Sequence, residues 1–281
     1  MLKNIKSELF FLKQYGISEK LLEFLYQNDM NPVDTIFNSN SLSHQQALSY
    51  FNKRDVELSK DFTKFQTLVS ELKYYFSLHK EEKLYFKYDE NSFSKLMLKN
   101  EIPLFLYSCG DESLLSDKEY RVAIIGTRTP NKESIEKAKY YTNKLASSGI
   151  VIVSGLAEGI DTIAHTSTLE VGGKTIAVLP TNFENIYPKI NKQLASRIKR
   201  KGILISAIGP RENTYRSSFL DRNRIVAAIS NEIFVIETGL KSGTMNTIRH
   251  AFELGKKIHF LDQKNEEVNQ KLLSYGGEMI E

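Results

Sequence analysis

Residues 121–165 read RVAIIGTRTPNKESIEKAKYYTNKLASSGIVIVSGLAEGIDTIAH, and this stretch decides the fold. It opens with an apolar run, Val122 to Gly126, and reaches a second, Ile150 to Ser154. The gap between them is long enough for a crossover helix. Working outward, four further runs repeat the pattern: Thr175–Leu179, Ile203–Ser206, Ile233–Ile236 and Ile258–Leu261. Short β-branched runs alternating with helix-length gaps predict a mostly parallel sheet with helices on both faces. The expected fold class is therefore α/β, Rossmann-like and doubly wound. In such sheets ligands bind beyond the carboxyl ends of the strands, at the topological switch point, so the loops that follow the strands hold the candidate site.

Upstream, the character is helical. Met1 to Tyr26 carries an amphipathic pattern with Gly16 marking a turn between two short helices. A longer stripe joins Leu58, Phe62, Phe65, Leu68, Val69, Leu72, Tyr75 and Phe76. A strand is expected over Leu84–Tyr88 and another over Pro103–Tyr107. Two domains follow, a helical one over 1–80 and the α/β one over 81–281.

Composition narrows the class. The chain has 281 residues, 41% hydrophobic and 26% charged, as a globular protein with a real core requires. No apolar run approaches the ~20 residues that span a bilayer, and the first residues have no signal-peptide core or cleavage site. A cytoplasmic location with no membrane partner is expected. The single cysteine, Cys109, excludes an internal disulfide and a cysteine-rich metal site. Net charge is only +4, but from Tyr187 to Arg224 ten basic residues face two acidic ones. That segment carries +8 and leaves −4 to the rest. Clustered positive charge on an acidic background is the footprint of a polyanion partner. Lys199, Arg200 and Lys201 also fit a solvated helix end, where cations suit the dipole.

The loops carry the remaining signals. Gly126-Thr127-Arg128 follows the first strand, with a close-turning glycine, a hydroxyl and a guanidinium. It is neither a dinucleotide fingerprint nor a P-loop. Ser154 to Asp161 places Gly155 and Gly159 before a helix, where exposed N–H groups make an anion site. Asp161 and His165 stand four apart. They form either an acid–base pair or a structural hydrogen bond that orients the loop. Tyr187, beside Pro188 and Lys189, either stacks on a base or fills the core. Arg222-Asn223-Arg224 precedes a small apolar run from Ile225, and two guanidinium forks with an amide at a helix start suit phosphate or base recognition. Lys241-Ser242-Gly243-Thr244 opens another helix with a cation, hydroxyls and free amides.

These pieces resemble the DNA-processing protein A family (DprA/Smf). That family shows Gly-Ser-Arg, Ser-Gly-x-Ala-x-Gly-Ile-Asp-x-x-Ala-His, Gly-Gly-x-Thr-Ile-Ala-Val-Leu, Tyr-Pro, Arg-Asn-Arg-Ile and Ser-Gly-Thr/Ser in this order. Here they stand as Gly126 to Arg128, Ser154 to His165, Gly172 to Leu179, Tyr187-Pro188, Arg222 to Ile225 and Ser242 to Thr244. Pro103 to Leu115 resembles the segment that leads into the family's domain. Asn269, Leu272, Leu273, Gly276 and Gly277 resemble its tail. The departures are Thr127 for serine, Ser206-Ala207-Ile208 where the family has Ser-Glu-Tyr, Leu220 for proline, and Asp262-Gln263 for Pro-Gly.

The resemblance implies a small SAM-like helical domain ahead of the α/β domain. It implies a homodimer that binds and protects incoming single-stranded DNA and helps load the RecA recombinase in natural transformation. No cofactor, metal or catalysis is expected from it. By this resemblance Arg128, Lys189, Arg222, Asn223 and Arg224 line a DNA groove. The backbone of Gly126, Gly155 and Gly243 approaches phosphates, with Lys192 and Lys241 as lesser contacts. A further expectation is that Arg128, Arg222 and Arg224 meet in space. The runner-up is a nucleotide phosphoribohydrolase of the LOG type, which needs a glutamate after Gly-Thr. Here Met245 to Arg249 hold no carboxylate. A nucleotide-sensing module without catalysis is the third reading.

Overall fold

The computed structural model describes residues 2–56, 61–99 and 102–280. Met1 and Leu58 of the stripes read above lie outside them. The chain divides into two compact units, residues 1–80 with 103–105, and residues 81–102 with 106–281.

The first unit is helical: α1 (Leu2–Tyr15), α2 (Glu19–Gln27), α3 (Pro32–Phe37), α4 (Leu42–Tyr50), α5 (Lys53–Val56) and α6 (Phe62–Leu78). Gly16 adopts φ 108° and ends α1. Ser18, Asn31, Ser41 and Asp61 then cap α2, α3, α4 and α6 by accepting a first-turn N–H. Leu9, Leu12, Leu21, Leu22, Leu25 and Ile36 are fully buried. In α6, Phe65 and Leu72 are buried.

The second unit is built on one sheet: β1 (Glu82–Phe86), β2 (Phe105–Gly110), β3 (Arg121–Ile125), β4 (Val151–Ser154), β5 (Thr175–Leu179), β6 (Ile203–Ser206), β7 (Glu232–Val235), β8 (Lys257–Leu261) and β9 (Glu278–Ile280). Helices α7 (Ser92–Lys99), α8 (Lys132–Ser147), α9 (Ile160–Glu170), α10 (Lys192–Lys201), α11 (Arg216–Ile229), α12 (Gly243–Glu253) and α13 (Glu266–Ser274) connect them. The strand order is β1-β2-β6-β5-β4-β3-β7-β8-β9. Pairing is parallel from β6 across to β9, and β2 runs antiparallel to β6. The sequence reading placed the first two strands about two residues off and missed β9. Pro103 has no N–H to give a ladder, and β2 begins beyond it.

Alternation along the strands sorts the core. Ala123, Ile125, Val151, Val153, Ile176, Val178, Ile233 and Val235 share one cluster with Ile225, Val226 and Ile229 of α11 and Ile248 of α12. The intervening Val122, Ile124, Ile152 and Phe234 pack with α8 and α9, and Ala177, Leu179 and Leu204 pack with α10. Period-two alternation with both faces apolar is the mark of a sheet covered on both sides. The chain turns one way from β3 to β6 and then crosses to β7, so the order reverses between β3 and β7. Ligand-sized space is expected beyond their carboxyl ends. Among the described residues no helix is long and apolar enough to cross a membrane.

Candidate nucleic-acid cleft

A cleft of about 750 Å3 opens at this switch point. It gathers nine of the sequence-predicted residues: Gly126, Thr127 and Arg128 after β3, Gly155 after β4, Arg222 and Asn223 from α11, and Ser242, Gly243 and Thr244 at the start of α12. Lys189, Lys192, Arg224 and Lys241 are not among its lining residues.

The loop after β4 differs from its reading as an open anion site. Gly155 N–H and Ala157 N–H both donate to Asp161 Oδ2, at 3.1 and 3.2 Å. The loop already holds an anion, the protein's own carboxylate. Beside it, Arg222 Nη1 stands 3.9 Å from Asp161 Oδ2 and donates to the carbonyls of Gly155 and Val178. Arg222 is only 6% exposed. It is a structural cation in the cleft floor, not a free fork for phosphate. Burial raises the Asp161 carboxyl above the ordinary carboxylate range, opposed by the charge of Arg222 and the N–H donors of Ala157 and Gly155.

Two glycines make this arrangement possible. A Cβ at Gly155 would run into the Arg222 guanidinium. Gly159 has φ 75°, and a Cβ there would lie 2.7 Å from Arg128 C and O, besides striking Thr127 O.

The Asp161–His165 pairing is overturned in both its forms. His165 Nδ1 bonds Thr175 Oγ1 at 2.7 Å, and that hydroxyl donates to Ile152 O at 2.8 Å. The hydroxyl's own proton is committed, so it accepts from His165 Nδ1–H. Burial, then the Arg222 charge, lower the His165 value to about 3, and the ring is neutral. His165 is a core histidine.

Other hydroxyls also serve the fold. Thr244 Oγ1 donates to Gly126 O at 3.0 Å, which ties α12 to the loop after β3. Ser242 Oγ caps α12 by accepting Met245 N–H at 3.2 Å. Thr127 Oγ1 accepts Thr129 N–H at 3.3 Å, and Asn223 Nδ2 donates to Gly243 O at 3.0 Å. Open to a ligand are Arg128, exposed and without an ion pair among the described residues, and Gly243, exposed at the first position of α12. A helix has no internal acceptor for its first N–H groups, and its dipole adds positive potential there.

Arg222-Asn223-Arg224 lies in the middle of α11 rather than at a helix start, because that helix begins at Arg216. At ~100° per residue, positions 222 and 224 project about 200° apart. Arg224 thus leaves the cleft and acts on Asp221 and His250 instead. The expected meeting of Arg128, Arg222 and Arg224 holds only for the first two, whose charges interact. The same helical spacing brings Arg216, Phe219 and Leu220 to the cleft, which the sequence reading missed. Reading the helix from residue 216 would have found them. Tyr187, whose role was open, is 48% exposed at the rim, with its ring 5.3 Å from Phe219 in an edge-on contact.

Fold and cleft together define a Rossmann-like α/β protein with an arginine-bearing, glycine-rich cleft at its switch point. The chain belongs to the DNA recombination-mediator protein A family, whose model matches residues 83–280. Among characterised relatives, the DNA processing protein DprA of Bacillus subtilis is 36% identical over 156 residues, 56% of this chain. That match spans 52%, about half, of the relative's own length. DprA of Streptococcus pneumoniae is 34% identical over 209 residues, 74% of this chain and 67% of the relative. The X-ray structure of DprA from Streptococcus pneumoniae superposes with a TM-score of 0.71 at 27% identity, covering 98% of this chain and 94% of that one. DNA processing protein A from Helicobacter pylori, whose structure concerns its single-stranded DNA binding mode, gives 0.63 at 31% identity. It covers 71% of this chain and 91% of that one.

Proposed function

We propose that this chain binds single-stranded DNA in the cleft between the β3, β4 and α12 loops and performs no chemistry on it. In this reading it protects incoming strands and helps load the RecA recombinase in natural transformation, in the cytoplasm and as a homodimer. The helical unit is read as a small SAM-like domain that precedes the α/β domain in sequence.

One observation carries the binding reading. Among the described residues lining the cleft of about 750 Å3 the one carboxylate, Asp161, is paired internally, whereas Arg128 and the Gly243 N–H remain open, and exposed Glu158 lies outside that lining in the adjoining pocket. A phosphate meets positive potential without an uncompensated negative charge behind it. Rim aromatics Tyr187 and Phe219 offer π-faces to bases of any sequence. The similarity to the Helicobacter pylori protein and the name of the family support the same partner. Against a phosphoribohydrolase stands the α12 face from Gly243 to Arg249, which has no carboxylate to act on a ribosyl bond. Anisotropy titration with a labelled homothymidine strand and with thymidine monophosphate separates the readings. Binding of the strand far tighter than the mononucleotide, with no free base released, is expected. Release of base that dies with Asp161→Asn in folded protein overturns it.

A further inference from the structure

We propose that the outer face of α10 is a second contact surface for the same strand, reached from the cleft over Tyr187 and Ile190. This rests on the cleft binding single-stranded DNA. From Asn185 to Arg211 the chain carries no acidic residue. Within that span α10 buries Leu194, Ala195 and Ile198, and it exposes Lys192, Arg197, Arg200 and Lys201. None of these four forms an ion pair among the described residues, whereas Lys199 on the same helix meets Glu81 at 3.0 Å.

A solvated helix end explains cations in the last turn, where the dipole favours them. It does not explain Lys192, which stands in the first turn, where the dipole disfavours a cation. Nor does it explain the segment before the helix. Tyr187 at the cleft rim is 48% exposed and Ile190 is 78% exposed, so two apolar side chains face water between the cleft and Lys192. Apolar surfaces interleaved with unpaired cations are what a single strand uses for bases and phosphates.

The topology sets the direction. A crossover helix returns from the carboxyl edge of the sheet to the amino edge, so α10 starts beside the cleft and leads away from it. Asn191 fixes that start: its Nδ2 donates to Leu156 O at 2.9 Å and to Thr162 Oγ1 at 2.8 Å, both next to the loop after β4. Ten residues at ~1.5 Å rise give a track of about 15 Å.

The test compares homothymidine strands of about 5 and about 30 nucleotides, one short enough for the cleft alone and one long enough for both surfaces. It uses the full chain and a variant carrying Lys192→Gln, Arg197→Gln, Arg200→Gln and Lys201→Gln. Short-strand affinity is expected to stay within about twofold, which also reports an intact fold, while long-strand affinity falls. With ~0.7 of salt slope per contact, a fourfold rise in salt costs the parent about 50-fold more long-strand affinity than the variant. Equal slopes for parent and variant on the long strand overturn the track and leave the cleft standing. Equal weakening at both lengths also overturns it as a separate surface. Arg128→Ala, which alters only the cleft, is expected to weaken both lengths. If it weakens neither, the cleft reading itself fails.

Discussion

Asp161→Asn gives opposite signs for stability and binding. Asparagine can still accept the Gly155 and Ala157 N–H groups, but it removes the charge 3.9 Å from Arg222 Nη1. At an effective dielectric of about 20, that separation corresponds to about 4 kcal/mol of attraction. Stripping the partner from a buried charge costs about 3–5 kcal/mol in practice. For a domain of about 200 residues this lowers the melting temperature by roughly 6–20 °C. Replacing both members, as Asp161→Asn with Arg222→Met, leaves no unpaired charge and is expected to recover at least half the loss. Urea unfolding followed by far-UV circular dichroism reads the stability, because the chain has no tryptophan. Anisotropy below the transition reads single-strand binding by the folded fraction. That affinity is expected to equal or exceed the parent's, because the cleft floor has lost negative charge. A stability change below about 1 kcal/mol refutes the pairing, and lost binding by folded protein refutes a purely structural Asp161.

Further outcomes follow from the same geometry. His165, with its value held at about 3 against an ordinary 6.5, confers stability that is full above about pH 6.5 and is lost as pH falls toward 3. Between pH 6.5 and 4.5 the parent is expected to lose about 2 kcal/mol more than His165→Gln, read by urea unfolding at each pH. Gly159→Ala is expected to cost about 3 kcal/mol or more in the same assay, from its positive φ and the overlap with the Thr127–Arg128 backbone. Arg128→Ala should reduce the single-strand salt slope by about 0.7, while Arg224→Ala leaves it unchanged, since Arg224 acts on Asp221 and His250 outside the cleft.

The sequence made the sheet legible because its strands are buried on both faces and read as short β-branched runs with helix-length gaps. The loops after β3 and β4 and the start of α12 were legible as cleft walls for the same reason: strand ends in such a sheet share one edge. What could not be read was how polar groups divide between fold and ligand. Gly155 and Gly159 signalled an anion site correctly, yet the anion is Asp161, six residues from the N–H group of Gly155 that it accepts. Arg222 and Arg224 looked equivalent side by side, but once α11 begins at Arg216 they face opposite ways, one into the floor and one away from the cleft. The edge strand β9 is three residues long with two of them exposed, too short and too polar to show periodicity.

Single-strand binding by Gly243→Glu tests the cleft most directly, because it separates the site from the fold. Gly243 lines the cleft at the first position of α12, and a Cβ there meets nothing closer than Asn223 Nδ2 at 3.8 Å. A carboxylate at that position suits the helix dipole by about 0.3–1 kcal/mol, so the melting temperature is expected to hold or rise slightly. The same carboxylate covers the α12 N–H groups and turns the cleft's potential against phosphate. Anisotropy with homothymidine strands at several salt concentrations is expected to show affinity down at least about tenfold, with a smaller salt slope. A folded Gly243→Glu protein that binds single strands as the parent does at every salt concentration contradicts the cleft as the binding site.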